Sequence, residues 1–284
     1  MSDHWVPSPR ELSRAIARRK MSRKRALVSA VSTLIVITAI AGIIVTSPGW
    51  EVVKKTFFDI DYGREVFPTV VKGIWLNIRL TIIGAFCIGV LALIIALLRT
   101  TRSAALTPFR LLATAYVDIF RGIPLLLVIF LIGFGVPALG LAGITSNVTV
   151  LGTTAVVITY SAYVAEVIRS GILSIHPSQR AAARSLGLSH SHTMRFIVLP
   201  QALRRVVPPL LNDFVALLKD TGLVSILGVI DAIRAAQINA SRTFNYTPYV
   251  VAALLFLCIT IPLTRYTDRA LRNTYARQNS EGAI

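Results

Sequence analysis

Asp213 lies in a stretch that is otherwise almost entirely apolar, PPLLNDFVALLKD, which begins at Pro208. Pro208 and Pro209 carry no N–H, so a helix running through them can kink and leave backbone carbonyls free. Asn212, Asp213 and such carbonyls together would make a cradle for an ammonium group. Lys219 and Asp220 follow about two helical turns later, and Lys219 could meet a carboxylate. One acid and one base on the same stretch suit a zwitterion of any side-chain charge. The competing reading is that Asp213 and Lys219 pair with neighbouring helices.

Two further pairs have a spacing that matters. Asp118 and Arg121 are one helical turn apart, as are Glu166 and Arg169, so each pair can close a local salt bridge. Charges inside a bilayer cost about 2.5–3.5 kcal/mol each on insertion scales and usually mark a pair or a pathway. These pairs either pin the ends of spans or form part of a gate. No nucleophile, base and orienter stand in a catalytic pattern, and no GxxxxGK[ST] phosphate loop is present. His190-x-His192 lacks further ligands nearby, so the sequence points to no metal site. The chain reads as a non-enzyme that binds no cofactor. Any ATP and Mg would belong to a partner.

The surrounding elements explain where these charges sit. The chain has 284 residues, 54% hydrophobic and only 15% charged, with a mean hydropathy of +0.68. Soluble domains average about 25% charged residues. Six apolar runs approach the ~20 residues needed to cross a bilayer, at about 27–45, 74–98, 113–136, 151–168, 206–229 and 248–263. Cys87 and Cys258 fall inside such runs and read as small core residues. The first run is too long for a signal-peptide core and no A-x-A site follows it, so it reads as an uncleaved span. Before it, residues 1–26 carry eight Lys and Arg, and both a membrane-surface helix and a solvated tail fit.

An even number of spans puts both termini on one side. Of the 30 Lys and Arg, 21 fall in segments on that side, Arg99, Arg102 and Arg110 among them, and five in the opposite loops. By the positive-inside rule both termini are cytoplasmic in a multi-pass inner membrane protein. The net charge of +17 then anchors cytoplasmic segments against the lipid bilayer, and nucleic acid is not implied.

Residues 179–200, QRAAARSLGLSHSHTMRFIVLP, form a polar island between two apolar runs on the same cytoplasmic side. Pro177 and Ser178 can start and cap a helix. Gly187 suits a left-handed stop. Ser189 can cap a second helix through Val198, which Pro200 limits. Ala181, Ala182 and Ala183 leave a slim surface able to enter a partner's groove, with Arg180 and Arg184 at its rim. An ordinary inter-span loop is the alternative.

The spacing of Ala181, Ala182 and Ala183 to Gly187, and on to Ile197, Leu199 and Pro200, resembles the EAA loop of ABC importer permeases. YVDIFRGIPLLLVIF from Tyr116, AYVAEVIRSGI from Ala162 and LPQALRRVVPPLLNDFVALLKDTGLVSILGV from Leu199 resemble the polar amino acid subfamily. The resemblance covers roughly 68–270 and implies an all-α membrane protein of six predicted transmembrane helices, a type I ABC importer permease-like core with an extra N-terminal span. The implied organisation is a basic tail over 1–26, the extra span over 27–46, an extracytoplasmic loop over 47–67, the permease domain over 68–270 and a tail over 271–284. It implies a coupling loop at about 178–200 that docks on an ATPase, a second permease subunit in a homo- or heterodimer, two cytoplasmic ABC ATPase subunits, an extracytoplasmic solute-binding protein and a polar amino acid substrate. Ala181 stands where the family usually has Glu, which removes one charge contact expected with the ATPase. The rival function is a secondary transporter or channel for small polar solutes, independent of any ATPase.

Overall fold

The computed structural model describes the backbone of residues 8–101 and 103–281 and, within these, the side chains of all but 12, 15–17, 19 and 270–281. Arg102, one of the basic residues used to orient the chain, lies outside the described residues. The described residues are helical and hold no β-strand. The chain divides into two units, Met1–Thr56 and Phe57–Ile284.

The first unit is dominated by α1, Pro9–Val45. Ser8 and Glu11 close a capping box, with the Glu11 N–H donating to Ser8 Oγ at 3.3 Å and the Ser8 N–H donating to Glu11 Oε2 at 2.9 Å. From Pro9 the basic tail is therefore helical and runs without a break into the apolar run. Its 37 residues span about 55 Å, well beyond the ~30 Å hydrocarbon core. The short α2, Trp50–Phe57, follows after a turn.

In the second unit the long helices are α3, Ile60–Thr100, α7, Val148–Leu173, α10, Leu199–Asp220, and α12, Thr247–Glu281. Asp59 caps α3 by accepting from the Tyr62 N–H at 3.0 Å. The segment 47–67, expected as a loop, is thus largely helical, and Pro68 lies inside α3. Its mixed charges decorate helices, which a count of charges does not distinguish from a loop. α4, Thr107–Gly122, and α5, Leu125–Phe130, meet at a sharp break. The π-turn Leu131–Gly135 and the short α6, Val136–Ala138, complete this arm.

By length and composition, Lys20–Val45, Trp50–Thr100, Val148–Leu173 and Thr247–Arg269 can each cross a bilayer. The run expected at 113–136 is bent by 106° between Ala104–Gly122 and Leu125–Ala138. Pro124 explains this, because it forces the residue before it into extended backbone and Ile123 has ψ 132°. The run expected at 206–229 is built from α10 and a 3₁₀ helix, Thr221–Leu227. Arg204, Arg205, Asp213, Lys219 and Asp220 dilute the apolar character of α10, which is why it does not stand among the four.

The core lies where α3, α4, α5, α7 and α10 converge, with Val117, Ile129, Val156 and Ile172 fully enclosed. A smaller cluster joins Val70 and Ile74 of α3 to Ala232 and Ala236 of α11, Ala232–Thr243, and Ala252 of α12. Cys87 and Cys258 are exposed rather than in the core. Lipid-facing positions are as apolar as the interior of a bundle, so hydropathy does not separate the two.

Candidate functional site

The polar island folds as a compact hinge. α8, Pro177–Ser185, is capped by His176, whose Nδ1 accepts from the Ser178 N–H at 3.2 Å, so the cap falls two residues before the serine expected to supply it. Gly187 has φ +80°, and the chain closes behind it with Leu188 N–H donating to Ala183 O at 3.2 Å. Only glycine adopts this left-handed turn without steric cost. Ser189 caps α9, His190–Thr193, by accepting from the His192 N–H at 3.3 Å.

Pro200 does not end the second helix. Met194–Val198 opens into a π-turn and leads directly into α10, with Pro200 in its first turn. The proline lacks the N–H that would bond back into the preceding turn, and the widened turn ahead of it receives the ring. Ile197 and Leu199 are half-buried and Pro200 is exposed.

Two arginines fix the hinge at its base. Arg180 turns inward and donates through Nη2 to the Ile172 carbonyl of α7, and Arg205 Nη1 donates to the Ser174 carbonyl at 2.7 Å. Arg180 therefore orients the loop and does not sit at its rim. Ala183 also points inward, at 4% exposure. The outward surface includes Ala181, Ala182, Arg184 and Leu186. Leu186 is 83% exposed and was missed from the sequence. The available signal was an aliphatic residue directly before the hinge glycine in a polar segment.

The residues expected to form an ammonium cradle fall in differing surroundings. Asp213 is half-buried, and its Oδ2 has no hydrogen-bond partner among the described residues. α10 runs through Pro208 and Pro209 as one helix. Asp220 Oδ2 accepts from the Tyr160 hydroxyl of α7 at 2.6 Å. Tyr160 also lies within electrostatic reach of Asp213 and Tyr163. Asn212 and Lys219 are exposed, and no ion pair among the described residues involves Lys219. The site is therefore acidic and phenolic. Tyr160 escaped notice because a tyrosine in an apolar run reads as packing until its hydroxyl partner is known.

Of the two predicted ion pairs, one forms. Glu166 binds Arg169 one turn away and also Arg99 in the last turn of α3, at 2.6 Å from Nη1. Arg99 is 12% exposed in its side chain, so this triad welds α3 to α7 in a partly dry setting. Asp118 and Arg121 are both exposed and unpaired with each other. The Arg121 guanidinium instead lies 5.9 Å from the centre of the Tyr163 ring, a favourable cation–π distance.

The chain thus combines long apolar helices, a glycine-hinged polar loop and Asp213, whose buried Oδ2 has no partner among the described residues. The family model described as binding-protein-dependent transport system inner membrane component matches residues 106–272, and the chain belongs to that family. It is 38% identical over 196 residues to the probable glutamine ABC transporter permease protein GlnM of Bacillus subtilis (strain 168), covering 68% of this chain and 87% of that one. It is 35% identical over 216 residues to the probable amino-acid ABC transporter permease protein YckA of the same organism, covering 76% and 91%. The crystal structure of an amino acid ABC transporter with histidines superposes with a TM-score of 0.66 at 33% identity, over 72% of this chain and 94% of that one.

Proposed function

We propose that the protein is the transmembrane permease subunit of an ATP-driven ABC importer for polar amino acids. It lines the translocation pathway and takes its energy through the loop at 178–200. The observation that carries this reading is the hinge itself. A helix anchored by Arg180 and Arg205 presents Ala181, Ala182 and Leu186 outward, with Gly187 setting the angle of the second helix. Small residues beside one exposed leucine make a knob that fits a groove, and α10 leaves the hinge directly.

In this reading both termini and the loop face the cytoplasm. Two ATPase subunits hold ATP and Mg and grip the loops of a permease pair, while an extracytoplasmic binding protein delivers substrate to the other face. ATP-driven closure of the ATPases draws the loops together, and α10 carries the movement inward. Asp213 receives the substrate's ammonium group, with the Tyr160–Asp220 pair about two turns further along α10. The Arg99–Glu166–Arg169 triad keeps α3 and α7 moving as one body. By linkage a loaded binding protein must bias the ATPases as strongly as ATP biases the binding face.

Uptake of radiolabelled glutamine, arginine, histidine and cystine into proteoliposomes holding the complete complex tests this. Import that requires internal ATP and ceases with a hydrolysis-dead ATPase supports it. Uptake that follows an ion gradient and ignores the ATPase overturns it in favour of a secondary transporter.

A further inference from the structure

Asn77 and Asp231 are both wholly enclosed, at 0% exposure, although one lies on a membrane helix and the other is a carboxylate. Asn77 projects from the middle of α3. Asp231 sits in the short link between the 3₁₀ helix that extends α10 and the start of α11. Asn77 Nδ2 donates to Asp231 Oδ2 at 3.0 Å, and the Ala232 N–H donates to Asn77 Oδ1 at 3.2 Å. Asp231 Oδ1 accepts from the Arg234 N–H at 2.9 Å, capping α11. One turn before Asn77, Gly73 lets the link lie flat on α3, since a Cβ there would stand 2.6 Å from the Asp231 carbonyl oxygen.

The polarity of this contact cannot be reversed at one side alone. The Ala232 N–H fixes the Asn77 amide with its oxygen toward the backbone, so Nδ2 must face residue 231 and requires an acceptor there. Asn at 231 has one acceptor for two donors, so its NH2 would face either Asn77 Nδ2 or the Arg234 N–H, and turning the Asn77 amide over only moves the clash to Ala232. Asp at 77 would set carboxylate against carboxylate. Exchanging the two residues restores the bond between them and the contacts to the Ala232 and Arg234 N–H groups, and gives up the long 3.4 Å contact from Asn77 Nδ2 to Thr221 Oγ1.

Position gives the clasp its role. α10 begins at the hinge and runs 22 residues, about 33 Å, before the 3₁₀ helix and the link. Beside the hinge, Leu97 and Thr100 of α3 line one groove with Met194 and Leu199. α3 and α10 thus border one groove at the hinge end, and this donor–acceptor pair holds α3 to the link that follows α10 at its far end. We infer that Asn77 and Asp231 are a positioning pair that ties the far end of α10 to α3 and α11, so that movement begun at the hinge reaches the opposite face. This rests on the ATP-coupled reading above.

The test uses the complete transporter in proteoliposomes, with Asp231→Asn, Asn77→Asp and the exchange variant carrying both changes. The readout is uptake per ATP hydrolysed, with the KM for the loaded binding protein alongside. Each single change is expected to lower uptake per ATP about tenfold while hydrolysis continues and KM holds, and the exchange to recover it within about threefold. Uptake and hydrolysis falling together, in proportion to assembled complex, would make the pair merely structural and overturn the inference. An exchange variant no better than the single changes would overturn it too. If a single variant fails to assemble, the exchange variant decides alone: normal uptake per ATP supports the pairing, and lost coupling in an assembled complex overturns it. Wild-type import that ignores ATP would instead overturn the proposed function, before any variant is compared.

Discussion

Glu166 and Asp213 are carboxylates on adjoining long helices of one apolar unit, and their surroundings differ sharply. Glu166 has guanidinium partners on both sides, Arg169 from its own helix and Arg99 from α3. Asp213 leaves one buried oxygen without any partner among the described residues. A buried charge with its partners in place locks helices together, whereas one left unpaired costs stability and persists where something else must bind. The contrast separates the two tasks a transporter must combine, a rigid body and a vacant acid. It also fixes the expected signs of mutation.

The largest effect should come from Glu166→Ala, which strands Arg99 and Arg169 face to face. A loss of about 3 kcal/mol is expected, read as a lower thermal midpoint of the purified complex. Replacing Arg99, Glu166 and Arg169 together with Leu should return most of that stability, because no charge is then left unpaired. A triple variant as unstable as Glu166→Ala would break the contrast.

Gly187→Val comes next and touches neither carboxylate's hydrogen bonds. Holding a β-branched residue at φ +80° costs about 1–2 kcal/mol. ATP-dependent uptake should fall while membrane insertion is retained, and unchanged uptake would remove the hinge from coupling. Asp213→Asn should leave the thermal midpoint unchanged or slightly raised, since an unpaired buried charge disappears. It should raise the KM for import about tenfold by removing a charged acceptor for the ammonium group. A fall in stability like that of Glu166→Ala would show that Asp213 is paired after all. The smallest effect is expected from deleting residues 1–20, which leaves the second unit intact and should preserve most of the uptake rate.

The parts legible in the sequence were those set by local rules. Apolar run length located the four helices long and apolar enough to cross a bilayer, and glycine between two polar helical stretches located the hinge. The spacing of Glu166 and Arg169 was enough to predict their bond. What could not be read depended on partners distant along the chain. Arg99 reaches Glu166 across 67 residues, Tyr160 reaches Asp220 across 60, and Asn77 reaches Asp231 across 154. Nothing in the periodicity of either member signals the other. Spacing also failed for Asp118 and Arg121, where a nearby aromatic ring draws the guanidinium away. The direction in which Arg180 points was equally hidden, because inward and outward faces of a nine-residue helix are settled by what lies beneath it.

The most direct test places a cysteine at Leu186, on the most outward part of the hinge, in a background where Cys87 and Cys258 are replaced by Ser. With a short bifunctional reagent, the account predicts a cross-linked adduct between this permease and a nucleotide-hydrolysing subunit, formed in the same complex that imports amino acid only when ATP is supplied. Absence of that adduct in a complex that imports at full rate would contradict it.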